Sequence, residues 1–341
     1  MKKITQRFTG SSTEYYFACG ISHLRKITGS KNLILVTDEN VYGAHEKRFR
    51  NHDTIVLKPG EAFKVQSTVD ALVDQLIDMK AGRQTVLVGV GGGVVTDLTG
   101  YVASVYLRGI RFGFVPTTIL GLVDASIGGK NGIDVGVYKN MVGLIRQPSF
   151  ILHDMVFLNS LPEKEWINGF AEIIKHACIG DAALFTELEA MTLAKYRSRQ
   201  KSVCELVQRN ALFKTRLVKK DEFEKGDRRM LNFGHTIGHA IENQYALAHG
   251  EAISIGMTAA CRLSEKLTGF KQTGRVTALL EKYNLPAYAK WDAGNVFGVL
   301  TMDKKRENDR MHFVLLEKIG KAAIRQVPLT QLQKMIGELA S

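Results

Sequence analysis

The segment 231–242 (LNFGHTIGHAIE) carries His235 and His239 four residues apart, and a third histidine, His249, follows ten residues later. On a helix this spacing places the first two imidazoles on one face, where they could hold a divalent metal ion. Apolar neighbours such as Ile237 and Ile241 would bury the helix. A polar cluster in a core needs an occupant, a metal or an anionic substrate, to offset its desolvation. The alternative interpretation is two hydrogen-bonded core histidines and a third in a loop.

A glycine-rich turn at residues 89–97 (GVGGGVVTD) follows an apolar run and opens a helical segment. Glycines let a ligand approach the backbone closely, and a helix N-terminus offers free N–H groups and a partial positive charge to phosphate. The turn departs from the G-x-G-x-x-G dinucleotide fingerprint because Val94 replaces the third glycine. The pyrophosphate of a dinucleotide is the preferred ligand and a substrate phosphate is the rival. A tight turn without a ligand is the third possibility.

Two further pairs of charged residues stand in unusual surroundings. Asp124 and Lys130 flank a glycine-containing stretch (DASIGGK), and Glu172 and Lys175 lie three residues apart on an otherwise apolar helical segment. A charged pair among apolar neighbours should face something polar. A plain surface turn and a surface ion pair are the alternatives when these pairs are taken singly.

Strands that alternate with helices must position the glycine-rich turn. Short apolar runs predict buried strands at 32–38, 54–57, 85–90 and 111–116, and residues 65–80 show helical periodicity. The alternation predicts an α/β fold with a Rossmann-like, doubly wound, mainly parallel sheet.

After about residue 155 the pattern is mostly helical, and it carries the histidines. Helical stretches are predicted at 165–178, 181–195, 200–220, 236–244, 251–268 and 272–283, and the first clear strand pattern there is 312–316. A chain of 341 residues is long for one core. We therefore predict two domains, an α/β domain at 1–155 and a mostly α-helical metal-binding domain at 156–341.

The formal charge of +12 is the unusual bulk property of the chain. It suits either nucleic acid or a small anionic substrate. The basic runs at 195–201 and 303–306 are interrupted by polar or acidic residues, so we expect a small anion and no nucleic acid. Four scattered cysteines, no secretory signal and no apolar window of membrane length predict a cytoplasmic protein without a membrane partner.

Three segments together resemble the 3-dehydroquinate synthase family: GGGVVTDL at 91–98, DASIGGK at 124–130 and NFGHTIGH at 232–239. The combination is far more specific than any one segment. The resemblance implies a lyase of the shikimate pathway, in aromatic amino-acid biosynthesis, that converts 3-deoxy-arabino-heptulosonate 7-phosphate to 3-dehydroquinate and phosphate. NAD-assisted oxidation, β-elimination, re-reduction and intramolecular aldol closure are the implied steps. The implied cofactors are NAD and a divalent metal (zinc, with cobalt as the alternative), and the implied assembly is a homodimer.

The resemblance also implies a role for individual residues. It makes Glu172, His235 and His249 the metal ligands, whereas the spacing alone pairs His235 with His239. His239 is instead an implied acid/base residue. The other implied catalytic residues are Glu224, Lys175, Lys130 and Asn140. The implied contacts to the sugar-phosphate substrate are Arg108, Asp124, Lys130, Asn140, Lys175, Lys214, Arg228, Asn232 and Lys304, with Lys304 and Lys305 equivalent on inspection. The implied NAD contacts are Asp38, Asn40, Glu61, Lys64, Gly92, Gly93, Val94, Asp97, Thr117, Thr118, Lys139, Ser160 and Asn168.

The chain departs from the family pattern at Thr96, where glycine is usual, and at Asn131, where threonine is commoner. Two other functions stay open. One is a sugar-phosphate cyclase that makes a cyclitol, and the other is a metal-dependent polyol dehydrogenase. The dehydroquinate-forming branch is favoured because the residues that match its pattern include Lys214, Arg228 and His239.

Overall fold

The computed structural model describes residues 2–136, 138–242, 244–245, 247–301, 306–307 and 309–340. Its strands are β1 Lys2–Phe8, β2 Ser11–Phe17, β3 Leu33–Asp38, β4 Asp53–Leu57, β5 Val86–Gly91, β6 Arg111–Pro116, β7 Lys130–Val135, β8 Tyr138–Ile145, β9 Phe150–His153, β10 Arg306–Glu307, β11 Arg310–Lys318 and β12 Lys321–Pro328. Its helices are α1 Leu24–Thr28, α2 Glu39–His45, α3 Gln66–Asp78, α4 Gly93–Val105, α5 Glu163–Gly180, α6 Ala182–Ala190, α7 Leu193–Ser198, α8 Gln200–Lys220, α9 His235–Glu242, α10 His249–Thr268, α11 Thr273–Lys282, α12 Ala293–Thr301 and α13 Leu329–Ala340. Within these ranges, no helix is both long and apolar enough for a membrane span.

The chain forms two compact units, one of Met1–Trp166 with Gln200–Phe223 and the other of Ile167–Arg199 with Glu224–Ser341. The first unit is built on a seven-stranded sheet in the order β1-β2-β9-β6-β5-β3-β4. β1 and β2 pair antiparallel, and every other pairing in this sheet is parallel. The four strands predicted from the sequence are found as β3 to β6, and the helix predicted at 65–80 is α3. β4 was predicted to be buried, but it is an edge strand in which Val56 is exposed. The predicted α/β class with a mainly parallel sheet is therefore confirmed.

Both faces of this sheet are covered, as the uninterrupted apolar strands require. Successive side chains of a strand point to opposite faces. Ile34 of β3 accordingly packs in one core with Leu72 of α3 and Leu98 of α4. Its neighbour Leu35 packs in a second core with Leu24 of α1. The carboxyl ends of the parallel strands lie at the same end of the sheet, and there β3 and β5 each lead into a helix.

Helix α8 belongs to the first unit, although it lies in the half of the sequence assigned to the helical domain. Its residue Ala211 is part of the core that contains Ile34. In addition, the Thr215 hydroxyl donates a hydrogen bond of 3.1 Å to the hydroxyl of Tyr15 in β2. The apolar stripe of α8 predicted a helix correctly, but periodicity does not reveal which core that stripe covers.

The second unit is mostly helical, with a three-stranded antiparallel sheet in the order β10-β11-β12. Its core joins Ile237 of α9, Ile255 of α10, Phe313 of β11 and Leu332 of α13. The strand predicted at 312–316 lies inside β11. The helix predicted at 181–195 is two helices, α6 and α7, because the chain is extended at Thr192, whose side chain caps α7.

Candidate active site

A close contact between α9 and α10 places the histidines of the second unit. α9 begins at His235 and α10 begins at His249. A Cβ atom built on Gly256 of α10 would lie 2.0 Å from the carbonyl oxygen of Gly234 and 2.7 Å from the amide nitrogen of Gly238. Glycine at 256 therefore allows the two backbones to meet. The start of α9, with His235, is held directly against α10.

The predicted metal ligands Glu172, His235 and His249 come together in this unit. Nε2 of His235 lies 3.4 Å from Oε1 of Glu172, and Nε2 of His249 lies 3.2 Å from the same oxygen. Glu172, on α5, is fully buried. One ligand atom of each residue lies within 4.8 Å of the other two. The structure thus brings together three residues that are far apart in the sequence.

The second nitrogen of each imidazole faces an oxygen. Nδ1 of His235 lies 3.1 Å from the carbonyl oxygen of Phe233, and Nδ1 of His249 lies 3.4 Å from Oε2 of Glu242. Protons on both Nδ1 atoms would satisfy these acceptors and leave both Nε2 lone pairs directed at Glu172. Three electron-rich atoms that converge in a buried place need positive charge between them, either a metal ion or a proton on one imidazole. One carboxylate and two imidazoles are a ligand set that fits zinc and similar divalent ions.

Electrostatics keep this carboxylate ionised. Burial opposes the charge on Glu172, but Lys175, whose ammonium pairs with Oε2, and His235 outweigh it and hold the pKa of Glu172 well below its usual value. Burial and the nearby Lys175 lower the pKa of His235. Burial also opposes protonation of His249, but the hydrogen bonds that its ring donates to Glu172 and Glu242 raise its pKa to about 9. A bound metal ion would therefore displace the proton that His249 otherwise holds.

A second set of ligand atoms overlaps the first. Atoms of His239, Glu242 and His249 also lie within 4.8 Å of one another. The rings of His235 and His239 are 5.1 Å apart between centroids. Spacing alone does not choose between the sets, but Glu172 and His235 are buried whereas the members of the second set are all partly exposed. Sequence reasoning missed Glu242, although its position three residues after His239 and seven after His235 puts it on the same helical face.

The glycine-rich turn of the first unit lies between β5 and α4, as predicted. The first helical hydrogen bond runs from the amide of Thr96 to the carbonyl oxygen of Gly92 at 3.0 Å. The amides at positions 93–95 therefore precede the helical ladder and point out of the helix N-terminus. Beside the turn, the buried Thr117 hydroxyl has no hydrogen-bond partner among the described residues. These free donors fit a phosphate-bearing cofactor such as NAD.

Three predicted NAD contacts form one ion cluster around Lys64. Its buried ammonium lies 2.6 Å from Oδ2 of Asp97, 3.7 Å from Oε1 of Glu61 and 2.6 Å from Oδ1 of Asn140, a predicted substrate contact. Burial opposes the charge on Lys64, but Asp97 and Glu61 outweigh it and raise the pKa of the ammonium. Burial also raises the pKa of Asp97, although Lys64 opposes that shift.

Other predicted NAD contacts follow strand ends of the first unit. Oδ1 of Asp38, where β3 ends, accepts the Val41 amide at 3.0 Å, and burial raises the pKa of Asp38. Thr118 accepts the amide of Gly121 at 3.0 Å. Ser160 lies 2.6 Å from Nε2 of His45, a contact that the sequence did not predict. Asn40 and Lys139 are exposed.

Asn168 differs from the other predicted NAD contacts because it lies in the second unit. Its Oδ1 accepts a hydrogen bond from the amide of Gly250, in the first turn of α10. A Cβ atom at position 250 would lie 2.5 Å from the carbonyl oxygen of Asn168, so this approach also depends on glycine. The side-chain oxygen of Asn168 therefore fixes the start of the helix that carries His249.

The predicted substrate contacts of the first unit include one ion pair. Nζ of Lys214 lies 2.9 Å from Oδ1 of Asp124 and donates to the Asp124 carbonyl oxygen at 2.8 Å. Lys130, which begins β7, is exposed. Arg108 is exposed on the turn after α4, with a left-handed φ of 64°.

The predicted substrate and acid/base residues of the second unit lie near its histidine helix in sequence. Arg228 is buried, with 2% of its surface exposed. Nδ2 of Asn232 donates to Oε1 of Glu224 at 2.9 Å, which joins two of the predicted residues. Lys175 forms the ion pair with Glu172 described above. Lys304, with Lys305, lies outside the described residues.

Both departures from the family pattern have local hydrogen-bonding partners. The Thr96 hydroxyl donates to the carbonyl oxygen of Gly93 at 2.9 Å, inside the first turn of α4. Nδ2 of Asn131 donates to the carbonyl oxygens of Gly129 at 2.7 Å and Arg146 at 3.0 Å, which ties β7 to the end of β8.

The chain is similar in sequence to known proteins over most of its length. The sequence model of the 3-dehydroquinate synthase N-terminal region matches residues 54–168, and that of the C-terminal region matches residues 169–306. A 3-dehydroquinate synthase of Pyrococcus abyssi is 38% identical over 287 residues, which are 84% of this chain and 85% of the relative. A 3-dehydroquinate synthase of a Nitratiruptor species is 39% identical over 312 residues, 88% of each chain.

A solved structure is similar over almost its whole length. It is a 2-epi-5-epi-valiolone synthase from Streptomyces hygroscopicus subsp. jinggangensis 5008 with NAD+ and Zn2+ bound, and it superposes with a TM-score of 0.88 at 26% identity, covering 98% of each chain. The matched regions cover most of this chain, and the curated relatives share more than a third of their residues with it. The chain therefore belongs to the 3-dehydroquinate synthase family.

Proposed function

We propose that this protein converts 3-deoxy-arabino-heptulosonate 7-phosphate to 3-dehydroquinate and phosphate. The observation that carries the proposal is the convergence of Glu172, His235 and His249, in a chain whose full-length relatives are 3-dehydroquinate synthases. Identity to those relatives is 38–39%, against 26% for the cyclitol-forming neighbour. This difference favours the dehydroquinate-forming reaction over the other sugar-phosphate cyclases.

Glu172, His235 and His249 are the proposed ligands of a divalent metal, zinc first and cobalt as the alternative. When bound, the metal lowers the pKa of a substrate alcohol and polarises the corresponding ketone. Support comes from the buried, ionised carboxylate, from the two Nε2 atoms that face it, and from the zinc in the valiolone synthase. The same solved relative contains NAD+, which supports NAD as the second cofactor.

NAD, held by the glycine-rich turn and the Lys64 cluster, would supply reversible hydride transfer without net consumption, so the net reaction would be a phosphate-eliminating cyclisation by a lyase. Oxidation of the alcohol to a ketone acidifies the neighbouring C–H bond, and phosphate then leaves by β-elimination. After the ketone has been reduced, ring opening allows the intramolecular aldol closure. One heptulosonate phosphate thus gives one dehydroquinate and one phosphate.

Protein side chains supply proton transfer and positive charge in this proposal. His239 moves a proton at an imidazole nitrogen near neutral pH, and its partial exposure and its ring, 5.1 Å from that of His235, support this role. Glu224 is the second proposed acid/base group. Cationic side chains, among them Lys175, Lys214 and Arg228, neutralise the substrate carboxylate and phosphate.

The cofactor and the cellular setting complete the proposal. NAD binds through the glycine-rich turn, the Lys64 cluster and Asp38. The protein acts as a cytoplasmic homodimer in the shikimate pathway, with a small sugar phosphate as its partner and neither nucleic acid nor membrane. Light scattering on the purified protein tests the homodimer, and a monomer would contradict it.

The deciding experiment is a product assay. The purified protein is incubated with heptulosonate phosphate, NAD and zinc, and dehydroquinate, phosphate and NADH are measured together. We expect equal amounts of dehydroquinate and phosphate without net NADH. Turnover of sedoheptulose 7-phosphate or glucose 6-phosphate instead would indicate a cyclitol-forming cyclase. Stoichiometric accumulation of NADH would indicate a dehydrogenase.

A further inference from the structure

The hairpin of β7 and β8 contains an acidic residue, Asp134, to which the proposed function gives no role. Asp134 is buried, with 9% of its surface exposed. Its Oδ1 accepts a hydrogen bond from the backbone amide of Asn140 at 2.6 Å. Its own amide donates to the carbonyl oxygen of Lys64 at 2.8 Å. Asp134 therefore ties Asn140 to the segment that carries Lys64.

This tether acts on an unfavourable backbone conformation. Asn140 has a φ of 52°, in the left-handed region, which asparagine enters more readily than most residues but which is still less favourable than the right-handed region. A carboxylate that accepts a backbone N–H makes a stronger hydrogen bond than a neutral acceptor does. The side chain of Asp134 thus stabilises the conformation that sets the direction of the Asn140 side chain.

Lys64 determines which end of the Asn140 amide faces it. Nζ of Lys64 lies 2.6 Å from the Asn140 side chain and 2.6 Å from Oδ2 of Asp97. An ammonium group has only donors, so the amide oxygen of Asn140 must face Lys64. The amide nitrogen, which carries two donors, then points away from Lys64 on an exposed residue. It can donate to an acceptor oxygen of a ligand.

We propose that Asp134 is a positioning residue for the substrate. It holds Asn140 in the left-handed conformation in which Lys64 takes the amide oxygen and the amide nitrogen meets an oxygen of the anionic substrate. The inference rests on the proposed function and on the contact between Asn140 and the substrate that the family resemblance implies. Its new content is that Asp134, which touches no substrate, sets the direction of that contact.

A double-mutant cycle tests the proposal. Asp134→Ala removes the acceptor but keeps the backbone hydrogen bond to Lys64, and Asp134→Asn keeps an oxygen in the same place. We expect Asp134→Ala to lower kcat/KM for heptulosonate phosphate about tenfold or more while the Kd of NAD stays within about twofold. Asp134→Asn should stay within about threefold of the wild type because it retains the acceptor. In an Asn140→Ala background, Asp134→Ala should cause no further loss, because it acts through Asn140.

Several results would overturn the proposal. They are an unchanged kcat/KM in Asp134→Ala, an equal loss with and without the Asn140 side chain, or a rise in the Kd of NAD as large as the loss in kcat/KM. If Asp134→Ala does not fold, Asp134→Ser enters the same cycle. Hydrogen exchange at the Asn140 amide tests the tether without turnover: it should be slow in the wild type and fast in Asp134→Ala. If the wild type turns over a different sugar phosphate, the proposed function fails, and the cycle on that substrate still decides the role of Asp134.

Discussion

Replacing Gly256 by alanine should separate α9 from α10 and displace His235, one of the proposed metal ligands. The added methyl carbon would lie 2.0 Å from the carbonyl oxygen of Gly234. Ordinary contacts between carbon and oxygen begin at about 3.4 Å, so the backbones must part by roughly 1 Å or more. His235 follows Gly234 directly and would move with it. Metal–ligand distances tolerate only about 0.2 Å, so this displacement is large for a ligand.

Two opposing effects determine how far the unfolding free energy of Gly256→Ala should fall. Overpacking against a backbone typically costs about 1–3 kcal/mol, and this overlap should lie at the upper end. The better helix propensity of alanine offsets about 1 kcal/mol of that cost. We expect the unfolding free energy to fall by about 2 kcal/mol and the metal affinity to fall up to about a hundredfold, as when the support of a ligand is removed.

The matched control is Gly337→Ala, at an exposed position inside α13 where a Cβ meets nothing within 4 Å. It should stabilise the protein by about 0.5–1 kcal/mol and leave the metal affinity unchanged. Urea titrations measure stability, and competition with a chromophoric chelator measures affinity. If Gly256→Ala binds metal as tightly as the wild type, the close approach of the helices does not position His235 and the reasoning is wrong.

Three further predictions concern histidines and their partners. His235→Ala should lose bound metal, whereas His239→Ala should keep it and lower kcat about a hundredfold or more; metal analysis beside kinetics separates them, and metal loss in the second variant would contradict the ligand assignment. Glu242→Gln should weaken metal binding about tenfold, because the Glu242 carboxylate orients His249 through Nδ1. Chelator competition measures the affinity, and an unchanged value would show that Glu242 does not support His249 as a ligand. Burial lowers the pKa of His153, stacked on Phe17, from 6.5 to about 4. The unfolded chain protonates His153 at a higher pH than the folded chain does, so the unfolding free energy should fall by up to about 3 kcal/mol as the pH is lowered from 6.5 to 4. In urea titrations at several pH values, His153→Phe should make this part of the profile flatter.

Strands β3, β5 and β6 were predictable because their apolar residues are buried on both faces. The short apolar run of β4 was also found, although β4 lies at the edge of the sheet with Val56 exposed. All four were found within about one residue of their ends. β1, β2, β9, β10, β12 and the hairpin of β7 and β8 were missed. The first six residues of β8 are all exposed, and β1 alternates exposed with half-buried residues at the edge of the sheet, so neither has the apolar signal of a buried strand.

The candidate site was only partly predictable from residue spacing. The spacing of His235 and His239 predicted helix α9, but no periodicity could connect that helix to Glu172 on α5. That link came from the family resemblance. Asp134 was missed because its partner is the backbone amide of Asn140, and residue types do not show which side chain accepts a given backbone amide. Contacts made by backbone groups across a turn leave little trace in residue types.

Because α8 belongs to the first unit, the core of that unit is completed late during synthesis. Residues up to Trp166 leave the ribosome well before Ala211, which completes their core. At about 5–20 residues per second, this gap of 45 residues lasts about two to nine seconds. During that interval the apolar surface that α8 later covers is exposed, and chaperones or other nascent chains can bind it. A stalled chain that ends before Gln200 should therefore be aggregation-prone, although it contains every strand of the large sheet.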